Sequence, residues 1–182
     1  MNPFEEALKS IDEFCSNHKI PYSIIGGLAL ISHKIQRTTN DIDIALLVNL
    51  ENIESIGGQI IESFEPLLPN PIPFFQKYFV LPVFDKQTKM RIDFAAGLTG
   101  FDKQVVERSK RKEFGNLSLP FCTVEDLILY KLFAGRPKDT ADLHEISRKH
   151  KNLLDRDYLL IMLKDFTRLE REDMKENFLK IF

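Results

Sequence analysis

Tryptophan is absent from the 182 residues, and cysteine occurs only twice, at Cys15 and Cys122. Neither cysteine belongs to a CxxC pair or stands at ligand spacing from a histidine, which argues against a thiolate zinc site and against a disulfide scaffold. Both are expected as reduced, buried thiols. No apolar run approaches the ~18 residues that cross a bilayer. The opening stretch MNPFEEALKSIDEF is amphipathic and carries acids, unlike an export signal. These features lead to the expectation of a cytoplasmic protein without membrane association. Charge of one sign is missing too: 25 Lys and Arg stand against 27 Asp and Glu, for a net charge of −2. There is thus no global basic excess for bulk nucleic-acid binding and no acidic tail. The four histidines, His18, His33, His144 and His150, form no metal spacing with another ligand.

What is present describes an ordinary folded chain, with 43% hydrophobic and 29% charged residues. The length suits one sizeable core, or a core with a helical appendage. Asn2 and Pro3 read as a helix cap and first turn, followed by Phe4, Ala7, Leu8, Ile11, Phe14 and Cys15 at helical spacing. Residues 22–25 read as a short apolar strand, Gly26-Gly27 as a turn, and 28–35 as a short helix. Residues 41–48 (DIDIALLV) read as a strand, alternating in its first half and buried on both faces in its second. Residues 51–64 form a helix with Ile53, Ile56, Ile60 and Ile61 inward, and contain a second diglycine, Gly57-Gly58, with no obvious role.

The Pro-rich stretch PLLPNPIPFF is expected as a loop, and Phe74, Phe75, Tyr78 and Phe79 beyond it as core, with a base-stacking platform as the alternative. Residues 78–84 and 90–95 make an antiparallel hairpin. A further short pair is expected at 111–114 and 117–121 around Gly115-Asn116. The basic run Lys110-Arg111-Lys112 reads as a solvated loop, with an RNA backbone as its functional alternative. From Thr123 the character changes. Thr123 and Asp126 resemble a capping box, Gly135 and Pro137 stop the helix, and 138–150, 155–166 and 170–182 read as helices. The chain is therefore expected to be α+β, with a mixed α/β core over 1–122 and a C-terminal helical region over 123–182.

The chemically informative pattern is Ile25-Gly26-Gly27, a gap of thirteen residues, then Asp41-Ile42-Asp43-Ile44. Side chains alternate faces along a strand, so Asp41 and Asp43 point one way and Ile42 and Ile44 the other. Carboxylates two positions apart lie roughly 7 Å apart at their Cα atoms, and their oxygens can converge on one Mg²⁺ or share two. The glycines let a backbone approach a ligand closely, and the N–H groups at the following helix start favour an anion such as a triphosphate. Arg37, four residues before Asp41, is within reach of such phosphates; a surface arginine is the alternative.

This pattern resembles the signature of the DNA polymerase β-like nucleotidyltransferase superfamily. The resemblance implies a small mixed sheet flanked by helices, two Mg²⁺ (or Mn²⁺) ions, a nucleoside triphosphate and a third carboxylate on a neighbouring strand. The matching position is Asp93 in Met90-Arg91-Ile92-Asp93-Phe94, as metal ligand or as base; Arg91 on the same face is a possible salt-bridge partner. Many relatives carry serine at the second glycine, where Gly27 offers only backbone. The stretch from Glu125 to Leu143 resembles the helical region of the AbiEii/MNT-type proteins of toxin–antitoxin systems. In such relatives a lysine and an aspartate of this region complete the nucleotide site, and the matching positions are Lys131 and Asp142. A helix-face lysine, and pairing of Asp139 or Asp142 with Arg136 or Lys138, are the plainer alternatives.

The function so implied is metal-dependent transfer of a nucleotidyl group to a hydroxyl on RNA, protein or a small molecule, with a cognate toxin or antitoxin as possible partner. The rival is a non-catalytic nucleotide-binding or partner-binding module of the same fold.

Overall fold

The computed structural model describes residues 2–98 and 100–182, and these fall into two compact units. The first comprises Met1–Ser32 and Gln36–Cys122; the second comprises His33–Ile35 and Thr123–Phe182. Among the described residues, no helix is long and apolar enough to cross a membrane.

The first unit is built on a seven-stranded mixed sheet. Its strands are β1 (Tyr22–Ile25), β2 (Asp41–Leu47), β3 (Glu65–Pro66), β4 (Val80–Phe84), β5 (Arg91–Gly97), β6 (Lys110–Phe114) and β7 (Leu117–Phe121), in the order β3-β4-β5-β2-β1-β7-β6. β2 lies at the centre, antiparallel to β1 and parallel to β5. The helices are α1 (Pro3–Asn17), α2 (Gly26–Ser32), α3 (Ile53–Ser63), α4 (Pro71–Tyr78) and α5 (Gly100–Arg108).

Strand alternation decides which face is the core. Ile42, Ile44, Ile92 and Phe94 are fully buried. Phe94 packs on Phe14 of α1 and on Phe64, with ring centroids 6.0 and 5.2 Å away. Phe14 and Phe64 meet edge to face at 5.5 Å. Each such side chain stabilises the fold by about 1.5–3 kcal/mol. Because side chains alternate, sinking Ile42, Ile44 and Phe94 into this cluster turns Asp41, Asp43 and Asp93 to the opposite face. The apolar core thereby aims the carboxylates.

The structure corrects several local expectations. The Pro-rich stretch is not all loop: Pro71–Tyr78 is helical, because Pro71 stands at a first-turn position where a missing N–H costs nothing. Only Phe75 of its aromatics is fully buried, whereas Tyr78 and Phe79 are exposed by 54% and 37%. Gly57 gains a role from this helix. A Cβ there would stand 2.9 Å from Ile72 and 3.1 Å from Phe75, so its missing side chain lets α4 lie close on α3. The strand expected at 111–114 is β6 and starts one residue earlier, so the basic run Lys110–Lys112, also read as a loop, lies in this edge strand, where charged side chains discourage pairing with another sheet. α2 begins at Gly26 itself, two residues before the expected start.

The second unit is helical: α6 (Val124–Ala134), α7 (Pro137–His150), α8 (Arg156–Thr167) and α9 (Glu172–Ile181). Thr123 caps α6 by accepting from the Asp126 amide at 3.2 Å, and Gly135, at φ +61°, ends it. Asp126 is fully buried and accepts the Tyr158 hydroxyl at 2.6 Å. Residues 33–35 belong here through their carbonyls, to which His150 Nε2 donates at 2.9 Å (His33) and Lys149 Nζ donates (Lys34).

Candidate active site

Register places the carboxylates. In the parallel β2–β5 pair, Asp43 stands opposite Asp93 and Asp41 opposite Arg91. Asp41, Asp43 and Asp93 are all half-buried, and each offers an oxygen such that all three lie within 4.8 Å of one another. Opposite ligands of an octahedral Mg²⁺ stand about 4.2 Å apart. Only one pair of the three can stand opposite, and neighbouring ligands lie about 3 Å apart, so the three oxygens meet one hard cation once the carboxylates draw in. Their chemistry fits as well, since such cations take carboxylate oxygen and leave other positions for phosphate or water.

The glycine bend meets the same group. Ile25 pairs with Asp43, so the next residue, Gly26, rises directly beside that carboxylate, at φ +64°. A Cβ on Gly26 would fall 1.9 Å from Asp43 Oδ2. Gly26→Ala thus has to turn the Asp43 carboxylate aside, besides costing about 1–2 kcal/mol for the left-handed backbone. A misplacement of this kind costs roughly a hundredfold in a positioned reaction. The expected result is a modest fall in melting temperature, measured by calorimetry, with a much larger loss of Mn²⁺ binding read by electron paramagnetic resonance.

Two residues complete the surroundings. Arg91 forks onto Asp93, donating from Nε to Oδ1 at 3.1 Å and from a terminal nitrogen to Oδ2 at 3.0 Å. Those hydrogen bonds, and then the charges of Asp93, Asp41 and Asp43, push the Arg91 pKa still higher, against partial desolvation. Its cation offsets the mutual repulsion of the three carboxylates, and each carboxylate oxygen keeps further lone pairs for a ligand. Thr39 Oγ1 donates to Asp41 Oδ1 at 2.7 Å. Sequence reasoning passed over Thr39; its signal was a hydroxyl residue two positions before an aspartate, a spacing at which local side-chain hydrogen bonds form.

The other expected site residues lie as follows. Gly27 follows Gly26 in α2, and Arg37 sits half-buried in the irregular segment between α2 and β2. Lys131 and Asp142 lie in the second unit and meet each other. Lys131 Nζ stands 2.6 Å from Asp142 and 3.3 Å from Asp139, and all three are buried. Asp139 also accepts Arg136 Nε at 2.6 Å. Burial opposes its charged form, but the Arg136 hydrogen bonds and the Lys131 charge outweigh this and hold its pKa below the ordinary carboxylate value.

Similar folds occur among solved structures. The solution structure of the antibiotic-resistance factor ANT(2'')-Ia matches with a TM-score of 0.59 at 11% identity, over 91% of this chain and 94% of that one. The lincosamide antibiotic adenylyltransferase LnuA, solved with lincomycin bound, matches with a TM-score of 0.52 at 14% identity, over 79% and 96%. An antigenic nucleotidyltransferase-like protein from Paracoccidioides brasiliensis matches with a TM-score of 0.51 at 13% identity, over 93% and 91%. Identities this low establish the shared nucleotidyltransferase fold and nothing finer. No match is found among curated proteins. Residues 4–180 match the family described as nucleotidyltransferase of unknown function (DUF6036), and the chain belongs to that family.

Proposed function

We propose that the chain is a metal-dependent nucleotidyltransferase that moves a nucleoside monophosphate from a nucleoside triphosphate to a hydroxyl acceptor. The observation that carries this is the convergence of Asp41, Asp43 and Asp93 within 4.8 Å, next to a side-chain-free bend at Gly26-Gly27. A divalent cation, Mg²⁺ or Mn²⁺, supplies positive charge to the triphosphate and to the reacting oxygens. Asp41 and Asp43 hold it. Asp93, directly across from Asp43, provides a further ligand or takes the acceptor's proton. Gly26 and Gly27 let the phosphates approach the backbone, and Arg37 meets them from the linker before β2.

In the reaction the acceptor oxygen bonds to the α-phosphorus in line, the bond to the β-phosphate oxygen breaks, and pyrophosphate leaves. The acceptor proton passes to Asp93 or to solvent. Positioning and fixed charge do most of the work in such transfers. Phosphate reaching Lys131 has to compete with Asp142 and Asp139, so any part for Lys131 and Asp142 in nucleotide binding requires that pair to exchange partners.

The acceptor is a hydroxyl of RNA, protein or a small molecule. The lincomycin bound by LnuA does not carry over to this chain at 14% identity. The resemblance of residues 125–143 to AbiEii/MNT-type proteins supports a place in a toxin–antitoxin pair, with a cognate partner.

The test is a screen of the four nucleoside triphosphates, labelled at the α-phosphate, with Mg²⁺ and with total RNA, total protein and small hydroxyl compounds. Transfer of label to one acceptor class is the expected result. Binding without transfer would leave a nucleotide-binding module, and neither binding nor transfer for any of the four would overturn the proposal.

A further inference from the structure

We infer that Thr39 is a positioning residue that sets the metal affinity of the site, by fixing which oxygen of Asp41 faces the cation; this rests on the metal role proposed for Asp41. Two contacts define it. Thr39 Oγ1 lies 2.7 Å from Asp41 Oδ1 and 3.2 Å from the Asp41 carbonyl. It also fills the space that Gly27 leaves open: a Cβ on residue 27 would stand 2.6 Å from Thr39 Oγ1 and 2.7 Å from its Cβ. Thr39 is thus gripped between the bend and the strand, half-buried, with its hydroxyl directed to the first carboxylate of the pair.

The physical consequence follows from donor chemistry. A hydroxyl has one proton. Given to Asp41 Oδ1, it fills one lone pair of that oxygen and holds the carboxylate plane, leaving Oδ2 as the freer ligand atom. A carboxylate left to rotate pays conformational entropy on binding and presents two competing oxygens. Groups that hydrogen-bond a ligating side chain typically change metal affinity by about 10–100-fold when removed. Gly27 belongs to the same device. Any side chain there would drive Thr39 off Asp41, so the second glycine of the bend is required by Thr39 as much as by a ligand.

The experiment measures Mn²⁺ binding by electron paramagnetic resonance, without nucleotide, for the wild type, Thr39→Ser and Thr39→Val. Valine keeps the shape and loses the proton; serine keeps the proton. Expected are a roughly tenfold weaker Mn²⁺ affinity in Thr39→Val, near-wild-type affinity in Thr39→Ser, and metal-free melting temperatures close to wild type in both. Equal Mn²⁺ affinity in wild type and Thr39→Val would overturn this inference and leave the proposed function standing. Equal weakening in both variants would also overturn it, since it would assign the effect to packing rather than to the hydroxyl. A wild type that takes up no Mn²⁺ would overturn both.

Discussion

Asp43→Asn is expected to abolish Mg²⁺-dependent nucleotide binding while leaving the protein as stable as before, or more so. Asparagine matches aspartate in shape, so the strand, the fit beneath Gly26 and the pairing across from Asp93 are retained. What is lost is one of three negative charges whose oxygens crowd within 4.8 Å. Like charges at that separation repel, and Arg91 offsets the repulsion only in part, since its fork is spent on Asp93. Removing one charge lessens this repulsion in the metal-free protein. The same removal deprives a cation of a charged ligand, and several kcal/mol of charge stabilisation corresponds to about a thousandfold in rate. Stability and function should therefore move in opposite directions. Thermal melting with and without Mg²⁺ and triphosphate reads both: the wild type gains melting temperature on addition of the two, and the variant does not. An Asp43→Asn protein still stabilised by Mg²⁺ and triphosphate would remove Asp43 from the site.

Lys131→Met is expected to have the largest effect on stability. Lys131, Asp139 and Asp142 are 7%, 1% and 5% exposed, so the ammonium and both carboxylates are withdrawn from water. Methionine replaces the stem of the lysine but leaves Asp142 without its 2.6 Å ammonium partner. Asp139 keeps Arg136, which binds it at 2.6 and 3.2 Å. Breaking one side of a buried ion pair typically costs about 3–5 kcal/mol, because a charge is left desolvated. For helices of this size that lowers the melting temperature by about ten degrees or more. Adding Asp142→Leu to Lys131→Met should restore much of the loss, since an apolar pair of similar volume replaces the ionic one. A Lys131→Met protein that melts with the wild type would show that Lys131 is not bound to these carboxylates in solution.

The architecture was legible in the sequence where one periodicity ruled alone. Residues 41–44 alternate cleanly, and alternation sufficed to place both aspartates on one face. The change at Thr123 was equally plain, because a cap, an apolar run and a closing glycine follow in order. Legibility failed where two rules competed. Pro71 reads as a breaker by composition but starts α4 by position. Gly57 looks idle until α4 is known to lie upon it. Lys110–Lys112 reads as a solvated loop by its charge but as the start of a strand by the turn at Gly115-Asn116, and pairing with β7 decides for β6. In the site, Asp93 came from resemblance rather than from spacing. Thr39 carried only the signal of its spacing before Asp41, because the gap it fills at Gly27, twelve residues earlier, exists only in the fold.

The order of the sheet carries a kinetic consequence. β1 and β2 form from neighbouring chain, but β5 reaches β2 from fifty residues away, judged by Asp43 and Asp93. Such distant pairing is entropically slow. A nascent or partly refolded chain with only the β1–β2 pair formed owns two of the three acids, and a shift of β5 by one residue would set Ile92 or Phe94 where Asp93 belongs. Under the proposed metal role, cation capture would act as a proofreading step, open only to chains whose central strands have docked in the correct register.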